Sequence, residues 1–335
     1  MLHPLEPTCA PARQNMSSTS EPDTTRTLSP PPHRPVSALQ CYLTYLVSIS
    51  IGAACWFLLY VAMPENSAFL NGLIVTTVST FVIWLFSMAN GNSSLYDPYW
   101  VIAPPLLVLG IVADSNGGLV NWHWRQFMIF ACFVMWAGRY HVVLFWDGWT
   151  KGLSIEDWRY ENMRSAPIPY WLNSLVGMHH FPTYLVYFAF APAALVLMQT
   201  PPEQPELTLW DMVGAVGALA ATLIQYVADA QNKAFQQSPA YRNGGSIRSG
   251  LWAWSRHPNY FGEVLFWLSL IPFALAAGIF ESHMALVLSG PVVMAIFFRF
   301  SAHLMDKRSL ERRCDYDGIM KDISPLLPWI PRRPS

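Results

Sequence analysis

From Gln40 to Met305 the chain alternates long apolar runs with short polar breaks. The runs reach or approach the roughly 20 mainly apolar residues that cross a bilayer as a helix. They fall at 41–63, 68–89, 99–114, 124–146, 170–199, 208–229, 258–279 and 284–304. The third is short and carries Pro104-Pro105, which predicts a kink or a re-entrant segment. The pattern therefore predicts an all-α, polytopic membrane bundle of seven to eight transmembrane helices. Connections are short apart from 147–169 and 230–257, and those two with the C-terminal tail are where function is to be sought. Residues 1–39 are polar, rich in Pro, Ser and Thr, and lack an apolar signal core, so they read as a disordered tail ahead of a membrane domain over 40–330.

Composition strengthens this picture. The 335 residues are 53% hydrophobic and 12% charged, about half the charged share of a soluble globular domain. Fifteen Trp and fourteen Tyr suit a protein with two membrane interfaces. A net charge of −1 gives no dense basic face, which argues against a nucleic-acid partner. The five cysteines show no CxxC or Cys/His spacing, so neither a disulfide framework nor a zinc site is expected.

Cations set the expected orientation. Three lie in the N-terminal tail, three in 147–169 (Lys151, Arg159, Arg164), four in 230–257 (Lys233, Arg242, Arg248, Arg256) and seven after Met305. Eight spans place all 17 on one side, against three elsewhere (Arg125, Arg139 and Arg299). The positive-inside rule then predicts that both termini are cytosolic. An uncleaved first span acting as anchor makes the endoplasmic reticulum the expected membrane in a eukaryote.

Ionisable groups inside a span cost on the order of 2.5–3.5 kcal/mol each, so each needs a partner or a purpose. Arg139 lies seven residues from the end of its predicted span and has two readings, snorkelling to the interface or facing inward toward an acid or phosphate. Gln225, Asp229 and Asn232-Lys233 recur at helical spacing and form one polar stripe, either a surface Asp229/Lys233 pair or the lining of a polar cavity. In Arg256-His257-Pro258-Asn259-Tyr260-Phe-Gly262-Glu263, Pro258 suits the first turn of a helix. Asn259 and Glu263 then stack on one face, behind an arginine and a histidine at a helix N-terminus that favours anions. The alternative is an interfacial anchor for the seventh span. Glu156-Asp157-Trp158-Arg159-Tyr160 reads by default as a solvated loop, and Asn90 to Trp100 (with Asp97, Tyr99) lies on the same predicted side.

With these residues in view, the sequence resembles the steroid 5α-reductase superfamily, in the branch of membrane proteins sharing its C-terminal domain, from about Asn90 to Trp329. The resemblance rests on Arg256-His257-Pro258-Asn259-Tyr260-x-Gly262-Glu263, on Ala228-Asp229-x-Gln231 with Phe235, and on Asp306-Lys307-Arg308 through Tyr316 to Ser324-Pro-Leu-Leu-Pro328-Trp329. Trp136-x-x-Arg139 and Glu156-Asp157-x-Arg159-Tyr160 are also similar. It implies a membrane-bound reductase that transfers hydride from NADPH to a C=C bond of a lipid-like sterol, enone or isoprenoid, with an acid polarising the conjugated carbonyl. It implies a cofactor half at about 208–330. Carried over, the cofactor residues are Arg139, Gln225, Asp229, Gln231, Lys233, Arg248, Arg256, His257, Asn259, Tyr260, Glu263, Arg308 and Tyr316.

Two departures from that family matter. The second span holds no carboxylic acid, and Trp136 stands where the steroid enzymes place a tyrosine, so the pair that holds a steroid ketone is missing. Tyr140, Tyr99 and Asp97 are the hypothetical proton donors. In the tail, Asp306 stands where relatives usually carry Glu, and Ile319 where a second Tyr is common. A competing reading is an isoprenylcysteine-type methyltransferase using S-adenosylmethionine, which also carries an Arg-His-Pro-x-Tyr segment. Asp229-x-Gln231 and the Asn259/Glu263 pair favour the reductase, as does the basic content of 230–257. A third is a non-enzymatic sterol-binding membrane protein.

Overall fold

The computed structural model describes residues 35–115, 122–199 and 206–332, and among these the chain is all-helical, with isolated bridges in place of strands. Its main helices are α1 (Ala38–Ala62), α2 (Ala68–Asn90), α3 (Tyr96–Ser115), α4 (Trp124–Val143), α5 (Trp146–Lys151), α6 (Trp158–Arg164), α7 (Tyr170–Ala189), α8 (Ala191–Leu197), α9 (Leu209–Gln236), α10 (Pro258–Leu268), α11 (Ile271–Ala276), α12 (Phe280–Arg312) and α13 (Tyr316–Asp322). Among the described residues seven spans are long and apolar enough to cross a membrane, and α7 with α8, bent by 53°, makes an eighth if the pair is one crossing. The chain is thus an integral multi-pass membrane protein, with spans close to those the apolar runs predict.

Five segments differ from the sequence reading. The predicted tail over 1–39 falls mostly outside the described residues, but Val36 is buried and exchanges both backbone hydrogen bonds with Leu153, and Ser37 caps α1 in a capping box with Gln40. The third span is neither short nor re-entrant: α3 runs 20 residues through Pro104 and Pro105. The fifth is a bent pair rather than one straight helix. The sixth and eighth run past their predicted ends, to Gln236 and Arg312, so Gln231, Lys233 and Arg308 are helical.

The chain divides into two compact units, with boundaries inside α9, α10 and α12. The larger comprises residues 30–222 and 265–294. Its α1 and α2 meet through small side chains: Ser48 Oγ donates to the Ser79 carbonyl at 3.0 Å, and a Cβ on Gly52 would collide with the Ser79 hydroxyl. Close approach through small residues is how helices associate in lipid, where burying apolar surface gains nothing. Its core is aromatic, with Phe133, Trp136, Phe190, Phe266 and Trp267 all fully buried, and Trp136 stacked on Phe266 at 5.2 Å. In α7 the turns over 174–180 are π-helical, and the buried His179 there hydrogen-bonds the Ser174 carbonyl and Ser87 Oγ. Gly290 on α12 lies so close to the Phe188 carbonyl that a Cβ would overlap it. Arg125 and Asp211 form a buried bidentate pair at the starts of α4 and α9.

The smaller unit, described over 223–264 and 295–332, joins the end of α9, the 237–257 connection, the first turns of α10, the end of α12, α13 and the tail.

Candidate functional site

Pro258 begins α10, as its missing N–H allows, and this puts Asn259 and Glu263 one turn apart. Asn259 Nδ2 donates to Asp229 Oδ1 at 3.1 Å, so the two motifs from α9 and α10 meet. Asp229 and Glu263 are both buried. One turn before Asp229 on α9, Gln225 is completely buried, and neither its amide nitrogen nor its amide oxygen has a hydrogen-bond partner among the described residues. An unsatisfied buried amide costs on the order of 1–3 kcal/mol per group. Evolution seldom keeps that cost without a use.

The 237–257 connection folds back onto α9. Gln231 Oε1 accepts from the Leu251 N–H at 3.0 Å, and Trp252 Nε1 donates to the Ala228 carbonyl at 3.0 Å. Gly250 makes this possible: its φ of +61° is strained for other residues, and a Cβ there would strike the Gln231 amide. Gln231 is thus a loop-holding residue in this structure, while Lys233, on the same helix, is exposed.

Arg256 and His257 converge on Asp306 of α12. The guanidinium pairs bidentately, Nε to Oδ1 at 3.1 Å and Nη2 to Oδ2 at 2.8 Å, and His257 Nε2 sits 2.9 Å from Oδ1. Tyr316 of α13 donates its hydroxyl to the same oxygen at 2.7 Å. Arg256 Nη1 reaches the carbonyls of Met320 and Ile323 at 3.0 and 2.8 Å. The arginine and carboxylate are 7% and 3% exposed, so this is a buried ion pair whose Nη1 donors are taken up by backbone carbonyls. Burial, and then the hydrogen bond it donates to Asp306, push the Tyr316 phenol well above its ordinary range. Tyr260 stacks on His257 at 5.3 Å and meets Phe298 edge-on. Arg248 reaches Asp322 at 3.4 Å from an exposed position. Arg308 lies on α12, two residues beyond Asp306.

The smaller unit therefore brings together Asp229 with Asn259, with Gln225 and Glu263 each one turn along the same helices. It separately brings together Arg256, His257 and Tyr316, through Asp306, a residue of the matching tail motif to which the resemblance assigns no cofactor role.

The remaining predicted residues belong to the larger unit. Arg139 is buried on α4, with its guanidinium 3.6 Å over the Tyr140 ring. Tyr140 meets Trp100 and Trp136 edge-on. Tyr99 is buried and lines a cavity of about 10 Å³ with Thr76 and Thr183, room for one water at most. Asp97 Oδ1 accepts from the Tyr160 hydroxyl at 2.5 Å, with Arg159 Nη2 3.9 Å away.

Glu156-Asp157-Trp158-Arg159-Tyr160 is not a solvated loop. Glu156 is 2% exposed and accepts from the Ser93 N–H, from Arg164 Nε and Nη2, and from the Tyr170 hydroxyl. Asp157 N–H donates to Ser94 Oγ, and Arg164 also reaches the Gly91 carbonyl. This segment locks the α5–α6 region onto the α2–α3 turn and presents Tyr160 to Asp97. The available signal was the run Asn90 to Asp97, whose unpaired turn groups need such a partner.

Comparison with known proteins gives one decisive match. The family described as a protein of unknown function, DUF1295, matches residues 83–319, well over half the chain. The chain belongs to DUF1295. That match takes in all the main elements of both clusters except the tail after Ile319. A relative of Schizosaccharomyces pombe, described as an uncharacterised protein, is 24% identical over 272 residues, covering 74% of this chain and 76% of its own. No solved structure matches. Within the DUF1295 region both the Asp229/Asn259 pair and the Glu156 lock are included.

Proposed function

We propose that this DUF1295 protein is a membrane-bound, NADPH-dependent reductase of a C=C bond in a lipid-like substrate, as its likeness to the steroid 5α-reductases implies. The observation that carries the proposal is Gln225: a fully buried carboxamide with both polar atoms unpaired, one turn from the Asp229 that Asn259 holds. A primary amide of this kind offers one acceptor and two donors to a polar ligand. Such a ligand fits the chemistry of a dinucleotide, and Asp229, Asn259 and Glu263 add polar groups on the same two helices.

When bound, NADPH would supply the hydride. Gln225, Asp229, Asn259 and Glu263 would hold its polar groups, and the exposed Lys233 with Arg308 would supply positive charge for its phosphates. Arg256, His257 and Tyr316, already engaged with Asp306, would act by fixing the start of α10 and hence Asn259. Reduction adds hydride to one carbon of the double bond and a proton to the other. Asp97, hydrogen-bonded to Tyr160, with Tyr99 and Tyr140, are the candidates to deliver that proton.

The test is a titration of the purified full chain with NADPH and, separately, S-adenosylmethionine. Binding of NADPH alone supports the reductase. Binding of S-adenosylmethionine alone supports a methyltransferase, and binding of neither supports a non-enzymatic lipid-binding protein.

A further inference from the structure

The last described stretch carries a row of large apolar side chains that the protein leaves uncovered. Leu327, Trp329 and Ile330 are 65%, 71% and 71% exposed, and Trp254 beside them is 49% exposed, whereas Leu326 between the two groups is buried. Exposed apolar clusters of this kind mark an interaction surface. What it meets follows from where it is fastened.

The tail is zipped to the residues just before α10. Ser255 and Ser324 form a parallel bridge, and the Arg256 N–H donates to the Ser324 carbonyl at 2.8 Å. Ser255 Oγ donates to the Leu326 carbonyl at 2.7 Å, and the Trp329 N–H to the Trp254 carbonyl at 3.0 Å. Tail residues 324–329 thus share the depth of residues 254–256. That depth is constrained, because the span beginning at Pro258 is only 19 residues long. At 1.5 Å per residue it is about 28 Å, barely the thickness of the hydrocarbon layer. Pro258 must therefore lie at the hydrocarbon edge, and Trp254, about one turn earlier, at headgroup level. Trp is enriched at that level because its ring is apolar and its N–H is polar. Pro325, Pro328 and Pro331 keep the strip extended, and the N–H of the exposed Arg332 after it donates to the Asp322 carbonyl at 2.9 Å.

We infer that Trp254, Leu327, Trp329 and Ile330 form a membrane-docking strip that seats the C-terminal tail in the phospholipid leaflet which α10 enters. The strip fixes the tail, and with it the Asp306 cluster, against the bilayer surface. This does not rest on the reductase reading.

A spin label on Ile330→Cys in the full chain, reconstituted in phosphatidylcholine nanodiscs, tests it, with the signal of the parent chain's native cysteines subtracted. Asp317→Cys, at a 71% exposed acidic position on α13, is the aqueous control. At 330 the label should collide freely with oxygen and lose its collisions with a water-soluble nickel chelate, while at 317 the nickel collisions persist. Equal nickel accessibility at the two positions overturns the inference. So does shielding from both reagents with dipolar broadening at 330, which would mean a second copy covers the strip. Leu327→Cys repeats the measurement should the first variant fold poorly.

Discussion

Asp306 accepts four hydrogen bonds, two from Arg256 and one each from His257 and Tyr316, in a site almost closed to solvent. Removing one side of a buried ion pair leaves the other charge uncompensated, at about 3–5 kcal/mol. Asp306→Ala should therefore lose that much stability in thermal unfolding of the detergent-solubilised chain, whereas Lys307→Ala, one residue on and exposed, should change little. Tyr316 gives a pH signature. Its folded-state phenol holds its proton to higher pH than the ordinary value of 10.0, so the unfolded chain ionises first. Stability is intact below about pH 10 and falls as pH rises beyond it, and Tyr316→Phe should flatten that alkaline decline. At Gln225 the expectation has two parts. Gln225→Leu removes two unsatisfied buried atoms and should raise the melting temperature of the ligand-free protein. It should also weaken NADPH binding by roughly tenfold, the worth of about 1.4 kcal/mol of hydrogen bonding; unchanged affinity would remove Gln225 from the site. Some of this was readable beforehand: Pro258 and the spacing of Asn259, Glu263 and Asp229 put the polar residues on facing turns. The fate of Arg256 was not, because its partner lies 50 residues away and a motif shows only near neighbours. The burial of Glu156 was hidden for the same reason, since Ser93 is 63 residues off.

Among the helices, the apolar runs marked where each span lies but not how it ends or bends. Helices α9 and α12 continue into polar sequence because residues there find tertiary partners, as Gln231 does with Leu251 and Asp306 with Arg256. The widened turn in α7 had a signal in Pro182, which cannot donate to the preceding turn, so the ladder opens there into π geometry. Pro192 restarts the helix as α8 after the bend, in a first turn where no N–H is needed. Gly290 fits against the carbonyl of Phe188 just before that bend. Gly290→Val forces the α12 and α7 backbones apart and should cost about 1–3 kcal/mol. Thermal unfolding checks this, with Gly138→Ala, where a Cβ meets nothing within 4 Å, as the tolerated control.

For the molecule as a whole, the crossing count decides where the termini lie. Eight crossings put both on one side and seven put them on opposite sides. The cationic bias predicts that α7 and α8 together complete a crossing, so epitope tags at the two ends should both be protected or both be accessible in sealed microsomes. Opposite behaviour would make the bent pair a re-entrant segment. The long helix α12 adds a constraint. Beyond its irregular residue His283, the helix from Met284 to Arg312 is a rod of about 43 Å. At an ordinary tilt of about 20° it rises some 41 Å against a hydrocarbon layer of about 30 Å. The overshoot, about seven residues, brings Asp306 out to the rim of the oily layer, where a carboxylate can stay charged. Thicker lipid would draw that carboxylate inward and force the rod upright. The protein should consequently be at its most heat-resistant in short-chain lipid and lose ground steadily as the acyl chains lengthen, which makes bilayer thickness itself a determinant of where in a cell it can reside.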